Sequence, residues 1–261
     1  MKVNSLFLIL VIGVLYGCTS NSVSSDENEG INEVSISDTT SSDPRLDEVE
    51  DTSVHQSLRL FGLVDIKSID ASIRVDLKYA TADNFMGYVL YDTLKSLFLQ
   101  EDVALRVSLC QKFLQYSMPN YSLLIYDGVR PVDVQRQMWN ALDSIPAAER
   151  GKFVSNPSYG SVHNFGAAVD ITICDLNGTP LDMGAGYDDF RDIAFPSKEW
   201  KFLSSGELTH EQHENRKLLR GVMKSQGFRN IPSEWWHFNA CTRDQAVWKY
   251  KRLEYESGIR Q

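Results

Sequence analysis

Apolar residues recur at helical spacing in this chain, most clearly between residues 100 and 116. There Val103, Val107, Cys110 and Leu114 follow one another at intervals of four, three and four residues, as in an amphipathic helix with one face turned to a core. A second helix is predicted after Pro131, because proline is favoured in a first turn. A third is predicted from Thr209 to near Gly227, because Gln212 stands three residues after Thr209 in a capping-box pattern. The predicted core positions of the first two helices are Val103, Val107, Leu109, Cys110, Phe113 and Leu114, then Val134, Met138 and Leu142.

Short apolar runs predict three strands, at residues 122–126, 167–173 and 235–238. The first run ends at Asp127 and Gly128, a pair that is typical of turns. Strands and helices alternate without any internal repeat. The pattern therefore predicts one α+β domain with a small, mainly antiparallel sheet flanked by helices.

The N-terminus carries the pattern of an export signal. Lys2 supplies a positive charge, and residues 6–15 form an unbroken run of apolar and small residues. Such a run is too short to cross a membrane, which takes roughly 20 residues, but it fits a signal peptide. Residues 15–18 (LYGC) resemble the bacterial lipoprotein box, so we predict a signal peptide over residues 1–18 and lipidation of Cys18. The alternative is an uncleaved anchor, or a plain signal peptide with a chance cysteine.

Residues 19–57 differ in composition from the C-terminal remainder of the chain. They carry ten acidic residues against one basic residue and contain no aromatic residue. Such a segment buries too little apolar surface to offset the entropy of ordering, so we predict a disordered acidic tether. The folded domain is predicted over residues 58–261, where 25 acidic and 24 basic residues nearly balance. No basic stripe is present there, which argues against nucleic acid as a partner.

Three more cysteines lie in the predicted domain: Cys110, Cys174 and Cys241. Three thiols cannot all pair with one another, so at most one disulfide is expected in an exported chain. Cys110 lies on the apolar face of the first predicted helix, where it fills the core like a small apolar residue. The spacing of the three matches no zinc knuckle.

Two of the five histidines, His163 and His237, stand in unusual sequence contexts, SVHNFGAAVD and EWWH. Asp170 follows His163 by seven residues, and Glu234 precedes His237 by three. A catalytic zinc ion takes three nitrogen or oxygen ligands and one water, so two histidines and one aspartate would suffice while a further carboxylate acts as base. A straight strand would point His163 and Asp170 to opposite faces. Residues 164–166 supply the turn chemistry that would bring them together.

Glu234 and His237 would also point apart in a regular strand. Pro232 and Ser233 precede them, which indicates that Glu234 stands at a strand entry or in an irregular turn. There His237 is free to bind a metal while Glu234 reaches the water beside it. A lone histidine near a strand is more often a core or surface residue, and the spacing alone leaves that alternative open.

Further motifs surround these residues, in the segments 79–87, 127–131, 161–170, 183–188 and 234–237. In this order they are similar to the motifs of the zinc D-alanyl-D-alanine dipeptidases, the family of the vancomycin-resistance dipeptidase. The matching segments run from about Leu77 to Asn239 and cover nearly the whole predicted domain. The resemblance implies a zinc domain of the hedgehog and D,D-peptidase type.

The resemblance also implies the roles of the main site residues. One zinc ion per chain would be held by His163, Asp170 and His237. Glu234 would act as the general base, and Arg130 would stabilise the oxyanion of the tetrahedral intermediate. The implied reaction is the zinc-dependent hydrolysis of the dipeptide D-alanyl-D-alanine to two molecules of D-alanine.

Three more residues are predicted to contact the substrate. Asp188 matches the family residue that holds the substrate ammonium group. Ser161 and Tyr91 are predicted as further contacts. The substrate is then a small dipeptide, and no protein partner is predicted.

Two other functions are compatible with the same motifs. One is a D,D-carboxypeptidase or endopeptidase that cuts peptidoglycan stem peptides, with a pocket open where the dipeptide ammonium group would bind. The other is a non-catalytic zinc-binding module at the cell surface, against which the presence of Glu234 argues. In each case we expect an exported lipoprotein that meets the membrane only through its N-terminal lipid and faces the periplasm or the cell exterior.

Overall fold

The computed structural model describes residues 53–256. The predicted signal peptide, its lipidated Cys18 and most of the predicted tether lie outside the described residues. The first helix, α1 (Ser53–Arg59), begins inside the segment predicted as tether. The predicted boundary between residues 57 and 58 therefore falls inside this helix.

Seven strands and eight α-helices make up the described part of the chain. The strands are β1 (Leu63–Asp65), β2 (Arg74–Val75), β3 (Phe98–Gln100), β4 (Tyr121–Asp127), β5 (Ala168–Asp175), β6 (Arg229–Asn230) and β7 (His237–Asn239). The further helices are α2 (Ile66–Ile69), α3 (Glu101–Ser117), α4 (Val132–Ala141), α5 (Ala147–Arg150), α6 (Glu199–Ser205), α7 (His210–Ser225) and α8 (Arg243–Lys249). Short 3₁₀ helices occupy Lys78–Ala80, Val162–Phe165, Asp192–Ala194 and Pro196–Lys198.

The main sheet has five strands in the order β2-β4-β5-β7-β6. Only the β2–β4 pair is parallel, and the other three pairs are antiparallel. A separate two-stranded sheet pairs β1 with β3. Helix α3 packs against both β4 and α7. The predicted α+β fold with a mainly antiparallel sheet is confirmed.

The apolar pattern of α3 is only partly a core pattern. Val103, Val107 and Leu114 are fully buried, as predicted from their spacing. Leu109 and Phe113 were predicted to share that face, yet they are 47% and 49% exposed. Because 3.6 residues make a turn, these two positions lie beside the buried stripe and turn away from the sheet.

Helix α7 begins as the capping-box pattern predicts. Thr209 accepts a hydrogen bond at its Oγ1 from the backbone N–H of Gln212 at 3.1 Å. The Gln212 side chain accepts in return from the backbone N–H of Thr209 at 2.9 Å. These two bonds satisfy donors that a helix start otherwise leaves unpaired. The helix ends at Ser225, close to Gly227 as predicted.

The strand predicted at residues 235–238 begins two residues later, at His237. Trp235 and Trp236 are buried but belong to an irregular segment. The Asn230 side chain stabilises that segment by donating to the backbone carbonyls of Glu234 and His237, each at 2.8 Å. These two hydrogen bonds from Asn230 hold the segment before β7 in an irregular turn, so this segment does not pair as a regular strand.

All three cysteines of the described domain are free thiols. Cys110 and Cys174 are buried and Cys241 is partly buried. The core position predicted for Cys110 is confirmed. Within residues 53–256, no helix combines the length and the apolar composition that a membrane crossing requires.

Candidate metal and substrate site

Three acidic and histidine side chains form a row across the centre of the main sheet. The register pairs Asp127 of β4 with Asp170 of β5, and Asp170 with His237 of β7. An irregularity in β4 between Ile125 and Asp127 shifts the pairing just before this row. Such a bulge redirects the side chain next to it. The backbone ladder thus sets the spacing of the row directly.

His163 reaches the same row from the 3₁₀ helix that precedes β5. Ser161 caps this helix by accepting from the backbone N–H of His163 at 3.3 Å. Gly166 ends it with a φ of 65°, a left-handed conformation that glycine adopts most easily. A Cβ atom at Gly166 would also collide with the side chain of Leu63. The turn predicted between His163 and Asp170 is therefore confirmed.

Three donor atoms converge at the row. The Nε2 of His163 lies 3.0 Å from the Nδ1 of His237 and 3.2 Å from the Oδ1 of Asp170. The Nδ1 of His237 lies 3.0 Å from the same Oδ1. Atoms bound to one tetrahedral zinc ion at about 2.0–2.1 Å stand roughly 3.3 Å apart. The triangle therefore has nearly the size that such an ion requires.

The outer nitrogens of the two histidines confirm that this triangle fits a cation. The Nδ1 of His163 lies 2.7 Å from the carbonyl oxygen of Gly128, which only a ring N–H can satisfy. The Nε2 of His237 lies 3.0 Å from the Oδ1 of Asn239. With the Asn239 oxygen in that position, each ring, when it is neutral as a metal ligand must be, turns a lone pair toward the carboxylate oxygen of Asp170. Three converging acceptors repel one another unless a cation lies between them.

The second oxygen of Asp170 is held by two donors. Tyr187 donates to Oδ2 at 3.0 Å, and Arg130 donates to it at 3.2 Å. Burial raises the pKa of Tyr187 well above its ordinary value, so its hydroxyl keeps the proton that it donates. Bonds of this kind orient a metal ligand and set its basicity.

Arg130 is itself fixed from several sides. Its Nε donates to the Oδ2 of Asp127 at 2.9 Å, and its Nη2 lies 2.7 Å from the same oxygen. Its guanidinium carbon stands 4.9 Å from the ring centre of Tyr79. Only 11% of the Arg130 side chain is exposed. No hydrogen bond to another described residue engages its Nη1, which is left for a bound molecule.

Glu234 stands beside the triangle without being one of its corners. Its Oε2 lies 3.7 Å from the Nδ1 of His237. As predicted, it belongs to the irregular segment before β7 and not to the strand. Burial raises the pKa of the Glu234 carboxyl above its ordinary value, although the neighbouring His237 opposes this shift. A carboxylate of raised pKa beside a metal position is suited to accept a proton.

Asp188 reaches the site from a loop between β5 and α6. Its φ of 58° is the only positive value among the described non-glycine residues. Tyr79 donates to its two carboxylate oxygens at 3.1 and 3.3 Å. Burial, with a smaller contribution from the Asp170 carboxylate, raises the pKa of Asp188 to about 8. A left-handed backbone and a raised pKa are both features that recur at functional sites.

The two further predicted substrate contacts have different outcomes. Ser161 lines the cavity over the triangle, in addition to capping the helix that carries His163. Tyr91 is 1% exposed and does not line that cavity. Its hydroxyl donates to the Oδ1 of Asp127 at 2.7 Å. The substrate contact of Tyr91 stays a prediction; in this structure the Tyr91 hydroxyl positions Asp127, which is the partner of Arg130.

The cavity itself measures about 200 Å³. Pockets for drug-sized ligands measure about 300–1,000 Å³, so this one suits a small molecule. The residues of its wall with ionisable side chains are Arg130, His163, Asp170, Asp188, Glu234, His237 and Arg243. Sequence reasoning gave no role to Asp127, Tyr79 or Tyr187, although each stands in a motif segment and contacts a site residue. Their positions in the motifs could have identified these three residues as candidates. Their contacts with the site residues depend on the tertiary fold.

Comparison with known proteins agrees with this geometry. Residues 59–255 match the family model described as D-Ala-D-Ala dipeptidase. The chain is 32% identical over 176 residues to the D-alanyl-D-alanine dipeptidase of Escherichia coli, covering 67% of this chain and 83% of that one. It is 29% identical over 182 residues to the enzyme of the same name from Enterococcus faecalis, covering 64% and 85%. The chain belongs to the D-alanyl-D-alanine dipeptidase family of metallopeptidases.

Proposed function

We propose that this protein is a zinc-dependent dipeptidase that hydrolyses free D-alanyl-D-alanine to two molecules of D-alanine. The observation that carries the proposal is the convergence of His163, Asp170 and His237 on one point, with Glu234 beside it at 3.7 Å from His237. A structural metal site has no need of a further carboxylate that does not bind the metal. A catalytic site requires one to move a proton.

Zinc, when bound by these three residues, would polarise the scissile carbonyl and bring the pKa of a coordinated water down to about 7. Glu234 would take the proton of the attacking water and pass it to the leaving amine. Burial raises the pKa of Glu234. The free-energy difference between taking a proton from the water and giving it to the amine is therefore smaller. The Nη1 of Arg130 would donate to the developing oxyanion, and its ion pairs with Asp127 and Asp170 hold it in place before the reaction.

Asp188 supports a free dipeptide as the substrate in place of a longer peptide. An ammonium group at Asp188 would form an ion pair in a half-buried position, next to the Tyr79 hydroxyl. An acylated amine carries no charge and is larger than the free ammonium group. In a cavity of about 200 Å³, we expect such a substrate to be excluded by both its charge and its size.

The test is to measure alanine release by the zinc-loaded protein from three peptides: D-alanyl-D-alanine, its N-acetylated form and L-alanyl-L-alanine. We expect cleavage of the first alone. Cleavage of the acetylated form would identify a D,D-carboxypeptidase instead. If the protein retains zinc but cuts none of the three, it is a zinc-binding module and the proposed activity is wrong.

We also propose that the domain is exported and held at a membrane surface by a lipid on Cys18. Support comes from the sequence pattern of residues 2–18, all of which lie outside the described residues. The experiment is to label cells with a radioactive fatty acid and to compare the protein with its Cys18→Ser variant. We expect label and membrane association in the first and neither in the second. Equal labelling of both proteins would refute the anchor.

A further inference from the structure

A free dipeptide carries a carboxylate as well as an ammonium group, and the carboxylate also needs a partner in the cavity. Fully extended, the two charged ends of a dipeptide stand about 7 Å apart. A site that holds both ends needs a cation on a wall away from Asp188. Two arginines line the described cavity, Arg130 and Arg243.

Arg130 is poorly suited to this second task. Its Nε and Nη2 are engaged by Asp127 and Asp170, and it lies on the same wall as Asp188, since Tyr79 contacts both residues. Its remaining N–H groups face the scissile bond in the proposed mechanism. A carboxylate bound there would also compete with the oxyanion for the same donor.

Arg243 differs in each of these respects. It is the first residue of α8, four residues after the end of β7 at Asn239. Its Nη2 donates to the backbone carbonyl of Tyr159, which anchors the side chain beside Gly160 and Ser161 on the cavity wall. Its guanidinium carbon lies 5.8 Å from the ring centre of Tyr159. It forms no ion pair with any carboxylate within residues 53–256.

We infer that Arg243 binds the C-terminal carboxylate of the substrate, in the same cavity as the proposed ammonium site at Asp188. An anchored guanidinium without a carboxylate partner is a ready bidentate donor for a carboxylate. Because Arg243 and Asp188 both line the cavity, its wall offers an oppositely charged partner for each end of a zwitterion. The inference rests on the proposed function, because it assumes that a dipeptide occupies this cavity.

The first experiment compares the hydrolysis of D-alanyl-D-alanine with that of its C-terminal amide by the zinc-loaded protein. Arg243→Gln is expected to raise KM for the free acid about tenfold, the lower end of what a charged hydrogen bond contributes. It should leave KM for the amide and kcat for both substrates nearly unchanged. Arg243→Lys should raise KM for the free acid less than Arg243→Gln does, because lysine keeps the positive charge but lacks the planar guanidinium that binds both carboxylate oxygens. Arg136→Gln is the matched control, since Arg136 is an exposed arginine of α4 outside the cavity wall.

The second experiment separates this inference from the proposed activity. Calorimetric titration of the acid and the amide into zinc-loaded Glu234→Gln protein, with and without Arg243→Gln, measures binding without turnover. Preference for the acid that disappears with Arg243→Gln supports the inference, even if the native protein hydrolyses neither compound. Hydrolysis with a preference that survives Arg243→Gln refutes the inference and leaves the proposed function intact. If the protein binds neither compound, both are refuted.

Discussion

The proposed metal ligands and the proposed ammonium site at Asp188 are held in position by different means. Asp170 and His237 face each other across two hydrogen-bonded strands, so the backbone ladder sets their spacing. Asp188 stands on a loop, and the ends of that loop are held by side chains of α7. Metal coordination tolerates little error in distance, and a sheet register supplies that accuracy.

Arg216 of α7 joins the two ends of the loop that carries Asp188, an arrangement that we call the clamp. The Nε of Arg216 donates to the carbonyl of Met183 at 2.6 Å, and its Nη1 donates to the carbonyl of Ile193 at 3.0 Å. Tyr187 and Asp188 lie between these two carbonyls in the chain. One buried guanidinium therefore joins both ends of the segment that reaches the site. Glu199 partly balances its charge at 3.4 Å.

The largest expected effect is on catalysis beside the proposed metal ligands. Glu234→Gln should lower kcat by about 10²- to 10⁴-fold, since general base catalysis contributes that much. Zinc content, measured by atomic absorption, should stay at one ion per chain because Glu234 is not a ligand. Glu211→Gln, an exposed position of α7, serves as the control. Loss of zinc in the Glu234→Gln variant would show that this carboxylate helps to hold the metal.

The next effect is on the loop. Arg216→Met should lower the free energy of unfolding by about 1–3 kcal/mol for each buried acceptor left without a donor. It should also raise KM for D-alanyl-D-alanine, because the loop carries Asp188. Arg220→Met is the matched control, because Arg220 also pairs with Glu199, at 2.7 Å, but has no hydrogen bond to the loop carbonyls. The clamp is refuted if urea unfolding and KM change equally in both variants.

A smaller effect is expected at the support of His237. Asn239→Ala removes the oxygen 3.0 Å from the outer nitrogen of that ring. Loss of such support typically costs about 10- to 100-fold in metal affinity. Competition with a chelator of known affinity measures this value. Unchanged affinity would mean that the strand register alone orients His237.

The smallest effect concerns the pH dependence of stability in the zinc-free protein. The pKa of Asp188 is raised to about 8, so between the ordinary carboxyl range and pH 8 the folded state keeps a proton that the unfolded state has lost. Stability therefore falls as pH rises through this interval, by at most about 1.4 kcal/mol per pH unit. Asp188→Asn should remove this slope in urea unfolding measured at pH 6 and pH 7. An unchanged slope would place the titrating group elsewhere.

Local patterns in the sequence were sufficient for several elements. The capping box at Thr209 and the turn ending at Gly166 depend on residues within a few positions of one another, and both are confirmed. Burial on α3 could be predicted only in part, because periodicity marks an apolar face but not its width. Leu109 and Phe113 are apolar and yet half-exposed.

The sequence by itself determined the fold class, the family and the chemical types of the metal ligands, because these depend on short motifs and local periodicity. Only the tertiary structure decided which nitrogen of each histidine faces the metal position, since Gly128 and Asn239 make the opposing contacts. The tertiary structure also buries Tyr91 in the core, where its hydroxyl bonds Asp127. Side chains far apart in the chain meet only after the sheet has formed. Contacts of that kind leave no periodic signal in the sequence.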